Sequence, residues 1–329
     1  MPSRKHSKEE IMVRKNIYRV MRKVGFVKKP KKEYTEEYVE FYGQDANDYI
    51  ASQIREAKSG FMVSKWGTIE LAAVNALLYK ELKIKIKDML SGNVSFDMEE
   101  KVFWLCKNAG FFPDDVLAAK KFATLALQDA EYIDVLGSYV YQEKYVQSYM
   151  KNAKRVNLDG YYAPFLWENP WTKELKGKKV LVVHPFAETI KSQYLKRKLL
   201  FENPDVLPEF AQLRVIKAIQ SAAGNATETG YSSWFDALNS MKMQMDEEDY
   251  DIALIGCGAY GMSLAAHAKR KGKIAIHLAG WTQMLFGIYG KRWLEDQPQY
   301  SRFINEYWVR PNESECPKNA DTIEGACYW

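Results

Sequence analysis

The chain has 329 residues, of which 47% are apolar, so it can bury a substantial core as one large domain or two small ones. No apolar run approaches the roughly 20 residues of a membrane span, and no secretory segment follows the start, so we expect a cytoplasmic protein. The four cysteines lack CxxC or Cys/His spacing, which argues against a zinc site and a disulfide framework.

The formal net charge of +5 is unevenly distributed. Residues 1–32 carry twelve Lys and Arg against two Glu, a net +10, which leaves −5 for the remainder. Apolar and basic residues alternate there with helical spacing, and the apolar set is Val13, Ile17, Val20, Met21, Val24 and Val27. The pattern predicts a basic amphipathic leader helix over residues 1–32. Such a helix can lie on an anionic membrane surface, or it can pack on its own domain or a partner. Nucleic acid is disfavoured, because no binding motif follows.

Five apolar runs separated by helical segments predict an α/β fold, with a mainly parallel, Rossmann-like sheet and helices on both faces. The predicted strands are Phe61–Trp66, Val180–Val183, Leu213–Ile219, Ile252–Ile255 and Ile274–His277. Residues 33–329 are predicted to form a single domain with a helical insertion at about residues 93–155. Ligands of such sheets bind where the strands end, so we expect the site at that edge.

The first two strand ends supply candidate site residues. After the first, Gly67 and Thr68 open a helix with Glu70 in its first turn, where the helix dipole stabilises an acid with or without a function. His184 ends the second strand, where it could donate to a phosphate, transfer a proton, or hydrogen-bond across the sheet edge. The next helix carries Gln193 and Tyr194, candidate contacts to a sugar or acceptor.

The third cluster is the segment Gly256-Cys-Gly258-Ala-Tyr260-Gly261, which has GxGxxG spacing between a strand and a helix. Glycines allow a sharp bend there, and the first helical amides can hold a phosphate, although a tight turn without a ligand explains the glycines equally well. A dinucleotide site usually has an acid where this chain has His277, which disfavours a nicotinamide site. Further candidates for the loop that follows are Gln283, Lys291, Arg292 and Trp293.

At these residues the chain resembles a family. LIGCGAYG, IHLAG with TQMLFGIYGKRW after it, and the upstream VLVVHPF are similar to bacterial proteins encoded with capsule and surface-polysaccharide genes, related to the GT-D type of glycosyltransferase. The resemblance runs from about Phe61 to Trp329. It implies a Rossmann-like glycosyltransferase that takes a nucleotide-sugar donor and a carbohydrate or lipid-linked acceptor, at the inner face of the membrane if the leader helix binds there.

The chain departs from the family pattern at Thr68. GT-D glycosyltransferases carry an acid-any-acid pair there that handles the donor and its divalent metal, and here only Glu70 remains. Either Mg²⁺ or Mn²⁺ binds through Glu70 and the donor phosphates, or Lys291 and Arg292 neutralise the diphosphate; we expect no tightly bound metal. Glu70 is also a weak candidate for the catalytic base. Two alternatives stay open: an NAD(P)-dependent oxidoreductase, and a non-catalytic nucleotide-sugar-binding component of polysaccharide assembly.

Overall fold

A computed structural model describes residues 16–17, 20–21, 23–25, 38–323 and 326–329. Apart from the few positions just given, the predicted leader helix lies outside the described residues. No helix in the described part of the chain is both long and apolar enough to cross a bilayer.

The described residues contain one parallel sheet of seven strands in the order β3-β2-β1-β7-β6-β4-β5. The strands are β1 Phe61–Ser64, β2 Val135–Gly137, β3 Lys154–Val156, β4 Lys179–His184, β5 Gln212–Lys217, β6 Ile252–Ile255 and β7 Ile274–His277. The predicted α/β class and parallel Rossmann-like sheet are confirmed. All five predicted strands are present, and β6 and β7 have the predicted bounds.

Two strands of the sheet were missed, and both fall within the predicted helical insertion. Its helices exist, but β2 and β3 then extend the sheet beyond β1, with Val63 opposite Val135 and Leu136 opposite Arg155. Each strand has only three residues, which is too short for periodicity to distinguish from a loop. This segment therefore contributes one edge of the sheet as well as helices.

Helices cover both faces of the sheet. They are α1 Gly43–Glu56, α2 Thr68–Leu77, α3 Ile86–Leu90, α4 Met98–Ala109, α5 Val116–Ala130, α6 Asp159–Tyr162, α7 Ala187–Tyr194, α8 Arg197–Leu200, α9 Trp234–Glu247, α10 Gly261–Arg270 and α11 Thr282–Leu285. Local sequence sets several ends: Asp97, Asp115 and Ser233 accept hydrogen bonds from the first turns of α4, α5 and α9, and Gly110 ends α4 in the left-handed conformation.

Two apolar clusters form the core, one on each face of the sheet. Alternate residues of β6 point to opposite faces, so Ala253 and Ile255 pack in one cluster while Ile252 and Leu254 pack in the other. This burial on both sides explains why central strands such as β6 are continuous apolar runs and not alternating ones.

The connections after β4 and β6 leave the sheet in opposite directions, and this creates a crevice. β4 leads to β5 on one side, β6 leads to β7 on the other, and β4 and β6 are neighbours with Val183 opposite Ile255. In open α/β sheets a ligand crevice forms where the direction reverses in this way. The two loops that border it begin at His184 and at Gly256.

Candidate functional site

A cavity of about 520 Å³ lies at the carboxyl edge of the sheet, over this crevice. Most of the predicted site residues line it: Gly67, Thr68, Glu70, His184, Gly256, Gly258, Tyr260, His277, Gln283 and Arg292. The residues come from loops more than a hundred positions apart in sequence. The expectation that His184, Gly258 and Arg292 share one site is therefore met in the structure.

His184 is a buried, neutral imidazole. Its Nδ1 accepts a hydrogen bond from the Phe186 amide at 3.1 Å, so the neutral ring carries its proton on Nε2. Burial lowers the pKa of His184 to about 3. The ring therefore stays neutral near pH 7, and this favours a hydrogen-bond donor over a group that takes up a proton.

The glycine segment after β6 is shaped by contacts within the protein. A side chain at Gly256 would meet Cδ2 of His184 at 2.8 Å, and one at Gly258, where φ is +55°, would meet the Ala109 carbonyl oxygen at 2.7 Å. Close packing around the turn therefore requires the glycines, and this explains them without a bound ligand. Gly256 and Gly258 line the cavity, while the backbone amides of Gly256 and Tyr260 donate to the Val183 and Cys257 carbonyls within the protein.

Tyr260 is held by the core although it lines the cavity. Its hydroxyl lies 2.9 Å from the Ser221 hydroxyl, and its ring stacks on Trp234 with centroids 5.2 Å apart. Burial raises the pKa of Tyr260, which keeps the phenol neutral. Its main contribution is to fix the turn in place.

His277 connects the end of β7 to the start of α10. Its Nδ1 lies 3.0 Å from the Ser64 hydroxyl, its carbonyl accepts from the Tyr161 hydroxyl, and its ring packs on Gly261. Burial, together with the nearby Lys65, lowers the pKa of His277 to about 3. Only 5% of the residue is exposed, and its Nε2 has no hydrogen-bond partner. His277, which was predicted to contact a phosphate, is therefore a neutral and largely enclosed imidazole.

Glu70 is the carboxylate of the corner formed by β1 and α2. Its side chain folds back over Gly67, the residue before the first turn of α2. A Cβ atom added to Gly67 would lie 2.8 Å from Oε1 of Glu70. Thr68 is exposed beside it. No group of three or more His, Cys, Asp or Glu residues suitable for a metal occurs in the described part of the chain. One carboxylate next to a threonine does not fit a metal held by protein ligands.

The two predicted cations separate in the structure. Arg292 lines the cavity, with its guanidinium 4.4 Å from the Tyr328 ring centroid and its Nη2 3.1 Å from Sγ of Cys327. Lys291 is exposed, pairs with Glu295 at 3.5 Å and does not line the cavity, so of the two predicted cations the structure places only Arg292 at the cavity. Lys65 is a cation at the cavity that sequence reasoning missed.

Three other predicted contacts are structural. Gln193 is buried and donates to the carbonyls of Gly287 and Tyr307, while the Tyr194 hydroxyl accepts from the Phe210 amide. Trp293 is fully buried against Trp281. None of the three lines the cavity, which corrects their assignment as sugar or acceptor contacts. Gln283 does line it, but its amide donates to the Tyr328 carbonyl at 3.2 Å.

The C-terminal region borders the cavity. We call residues 315–323 and 326–329 the roof segment. Glu315, buried at 2% exposure, accepts from the amides of Glu188 and Thr189 at the start of α7, which fixes one end. The Cys327 carbonyl accepts from the Arg292 amide at 2.8 Å at the other end. Pro317 and Ile323, which lie between these two points, and Tyr328 and Trp329, which follow Cys327, line the cavity.

Fold and site together define the class: an α/β protein with an all-parallel, Rossmann-like sheet and a ligand-sized cavity at its switch point. No family model, no curated protein and no solved structure matches the chain.

Proposed function

We propose that this protein transfers a sugar from a nucleotide-diphosphate donor to a carbohydrate or lipid-linked acceptor in surface-polysaccharide synthesis. The main support is the single cavity that gathers the glycine turn, His184, Glu70 and Arg292 at the carboxyl edge of the sheet. The resemblance to GT-D glycosyltransferases supports the same reaction, and the basic amphipathic pattern of residues 1–32 supports a place at the inner face of the membrane.

The charge balance of the cavity suits a diphosphate group that is held mainly by dipoles. The charged side chains of the lining are Lys65 and Arg292 against Glu70 and Asp296, so the formal charges cancel. The amino end of α2, whose first residues Thr68, Ile69 and Glu70 line the cavity, adds positive potential. His184 adds a neutral Nε2–H donor to the same cavity. Such fixed donors stabilise the negative charge that develops on a leaving diphosphate.

Transfer also needs a base for the acceptor. In the proposed reaction the acceptor oxygen bonds to the anomeric carbon, the bond from that carbon to the diphosphate oxygen breaks, and the acceptor proton passes to a carboxylate. Glu70 is the candidate, since it projects from the first turn of α2 at the cavity wall. The two histidines of the cavity are poor bases, because burial lowers the pKa of each to about 3.

A non-catalytic nucleotide-sugar-binding protein is the second candidate. Thr68 favours it. This exposed residue stands where GT-D glycosyltransferases carry the first acid of their acid-any-acid pair, so only the Glu70 carboxylate remains between β1 and α2. A dinucleotide-dependent oxidoreductase has less support. The residue in place of the ribose-binding acid is His277, whose ring is enclosed and bonded to Ser64.

The adjacent cations Arg292 and Lys291 provide a matched pair of variants to test whether the cavity binds a nucleoside diphosphate. We expect UDP or GDP to bind in isothermal titration calorimetry, and Arg292→Gln to weaken that binding about tenfold or more. Lys291→Gln removes the adjacent charge outside the cavity and should change affinity less than about twofold, since exposed charges act weakly. Equal losses in both variants, or binding of NADP⁺ but of neither nucleoside diphosphate, would overturn the proposal.

Turnover then distinguishes an enzyme from a binding protein. Loss of a general base typically slows a reaction about 10²–10⁴-fold, so Glu70→Gln should slow donor hydrolysis or transfer by that amount while nucleotide binding persists. Binding without turnover of any offered donor would favour the non-catalytic alternative.

A further inference from the structure

Unpaired polar atoms concentrate around the cavity. Ten buried side-chain nitrogen or oxygen atoms lack a hydrogen-bond partner among the described residues. Four of them belong to residues that line the cavity: Asn108 Oδ1, His277 Nε2, Gln297 Oε1 and Trp329 Nε1. Native proteins leave few such atoms unpaired, and those that remain often mark the place of a ligand or an ordered water. The residues of the cavity wall therefore hold enclosed polar atoms that rotation of their side chains would offer to a ligand.

The unpaired atoms exclude a diphosphate as their sole partner. The amide oxygens of Asn108 and Gln297 accept hydrogen bonds, whereas the indole N–H of Trp329 donates one. Phosphate oxygens only accept, so they could satisfy Trp329 but neither amide oxygen. The missing partner must carry donors and acceptors together, and a hydroxyl group does both.

The unpaired acceptors come from separate parts of the wall. Asn108 belongs to the end of α4, where the next residue, Ala109, packs against Gly258. The backbone N–H of Gln297 donates to the backbone carbonyl of Arg292 at 2.7 Å, which places Gln297 beside Arg292. A nucleobase carries its donors along one edge, while the hydroxyls of a sugar ring radiate in several directions. Two hydrogen-bond acceptors on different segments of the chain therefore suit a sugar ring better than a nucleobase.

Aromatic rings supply the apolar part of the same surface. Trp329 packs between Phe186 and Tyr328, with ring centroids 6.1 and 5.9 Å away, and all three residues line the cavity. Rings with a polar tip combine an apolar face with one directional donor, which matches the alternating C–H and O–H groups of a saccharide.

We infer that Asn108, Gln297 and Trp329 form a hydroxyl-binding subsite that holds the sugar of the nucleotide donor beside Arg292. The inference rests on the proposed function and adds to it the residues that recognise the sugar. In this proposal the two side-chain amides and the indole rotate to bring their unpaired atoms to the sugar, and the subsite completes its hydrogen bonds when the sugar is present.

The test compares nucleotides with and without a sugar by isothermal titration calorimetry. The probes are UDP and GDP against UDP-glucose, UDP-galactose, UDP-N-acetylglucosamine and GDP-mannose. We expect at least one sugar nucleotide to bind about tenfold more tightly than its nucleoside diphosphate, a gain of about 1.4 kcal/mol. Gln297→Met and Asn108→Leu, which keep side-chain size without the amide, should remove most of that gain and leave nucleoside diphosphate binding within about twofold.

Trp293 gives a matched control for Trp329. Its indole nitrogen is also buried without a partner, but it does not line the cavity. Trp329→Phe should reduce the sugar-dependent gain, and Trp293→Phe should leave it unchanged in protein that still unfolds cooperatively.

The outcomes separate the two proposals. If UDP or GDP binds but no attached sugar improves affinity, the subsite is refuted and the proposed function stands. The same holds if the amide variants weaken the nucleoside diphosphate and the sugar nucleotide equally, which would assign those side chains to the base. If none of these nucleotides binds, the proposed function fails and the subsite fails with it.

Discussion

The imidazole of His277 lies directly against Cα of Gly261, so a methyl group at Gly261 would overlap His277 Nε2. The contact joins the end of β7 to the first residue of α10 and sets the position of the glycine turn relative to the sheet. Gly261 has ordinary helical dihedral angles, φ −58° and ψ −48°, so backbone freedom is not why glycine is needed there. The reason is the space that the imidazole occupies.

Gly261→Ala should therefore destabilise the protein, although alanine is the better helix former by about 1 kcal/mol. We expect a loss of about 1–3 kcal/mol from the displaced ring, measured by urea denaturation. In a His277→Ala background the same substitution should become neutral or stabilising, which a double-mutant cycle detects as coupling.

Gly272→Ala is the control for this cycle. Gly272 follows the same helix, has φ +77° and has nothing within 4 Å of its missing side chain. Alanine there should cost about 1–2 kcal/mol in both backgrounds, since the strain is local. Coupling of similar size at Gly272 would contradict the assignment of the Gly261 effect to His277.

Acid should destabilise the protein through two buried histidines. The pKa of His184 and of His277 is lowered from 6.5 to about 3 by burial. Between these values the unfolded chain binds protons that the native state does not, so stability is greatest above pH 6.5 and falls as the pH drops. Each histidine contributes a slope of at most about 1.4 kcal/mol per pH unit.

Urea denaturation between pH 7 and about 5.5 measures this slope before most carboxylates titrate. His184→Asn keeps an acceptor for the Phe186 amide but cannot titrate, so it should flatten the pH dependence by the share of one histidine. An unchanged slope in this variant would show that His184 is not a source of the acid sensitivity.

Glu315 should be essential to the roof segment. Its carboxylate accepts the amides of Glu188 and Thr189 at 2.7 and 3.2 Å and also the Thr189 hydroxyl. Glu315→Ala leaves these donors unpaired, and we expect a loss of about 3 kcal/mol in thermal or urea denaturation, with weaker nucleotide binding because the roof lines the cavity. The exposed Glu313, two residues away, is the control, and Glu313→Ala should change stability by less than about 0.5 kcal/mol.

Residues 1–32 should bind anionic membranes. Their charge of +10 and apolar spacing predict flotation of the full chain with vesicles containing phosphatidylglycerol, and its loss on deletion of residues 1–32. High salt should release the protein, since screening shortens the range of the attraction. Equal flotation of both proteins would discard this role for the leader.

Sequence reasoning succeeded where a short stretch of chain carries the whole signal. Four of the five longer strands are mainly apolar runs, β5 mixes apolar with charged residues, and the turn at Gly256 lies where its spacing placed it. Since parallel strands share a carboxyl edge, the strand ends at His184, Gly256 and His277 were expected on one edge, and the strand order β7-β6-β4 makes them neighbours. Much of the candidate site followed from that rule.

Reasoning from the sequence failed where a side chain has two plausible directions. Lys291 and Arg292 are adjacent, yet only Arg292 turns towards the cavity, where Tyr328 provides a ring for its guanidinium. Asn108 and Gln297 carry no motif and were missed, because their significance comes from unpaired atoms at a wall built by distant loops.

The sequence by itself determined the fold class, the main strands and the edge at which a ligand would bind, because apolar periodicity and glycine turns are local properties of the chain. Tertiary structure alone decided which residues face the cavity, why Gly261 must be glycine, and that Glu315 fixes a roof over the site. These are contacts between segments far apart in sequence, and no local pattern encodes which of several similar side chains will meet across that distance.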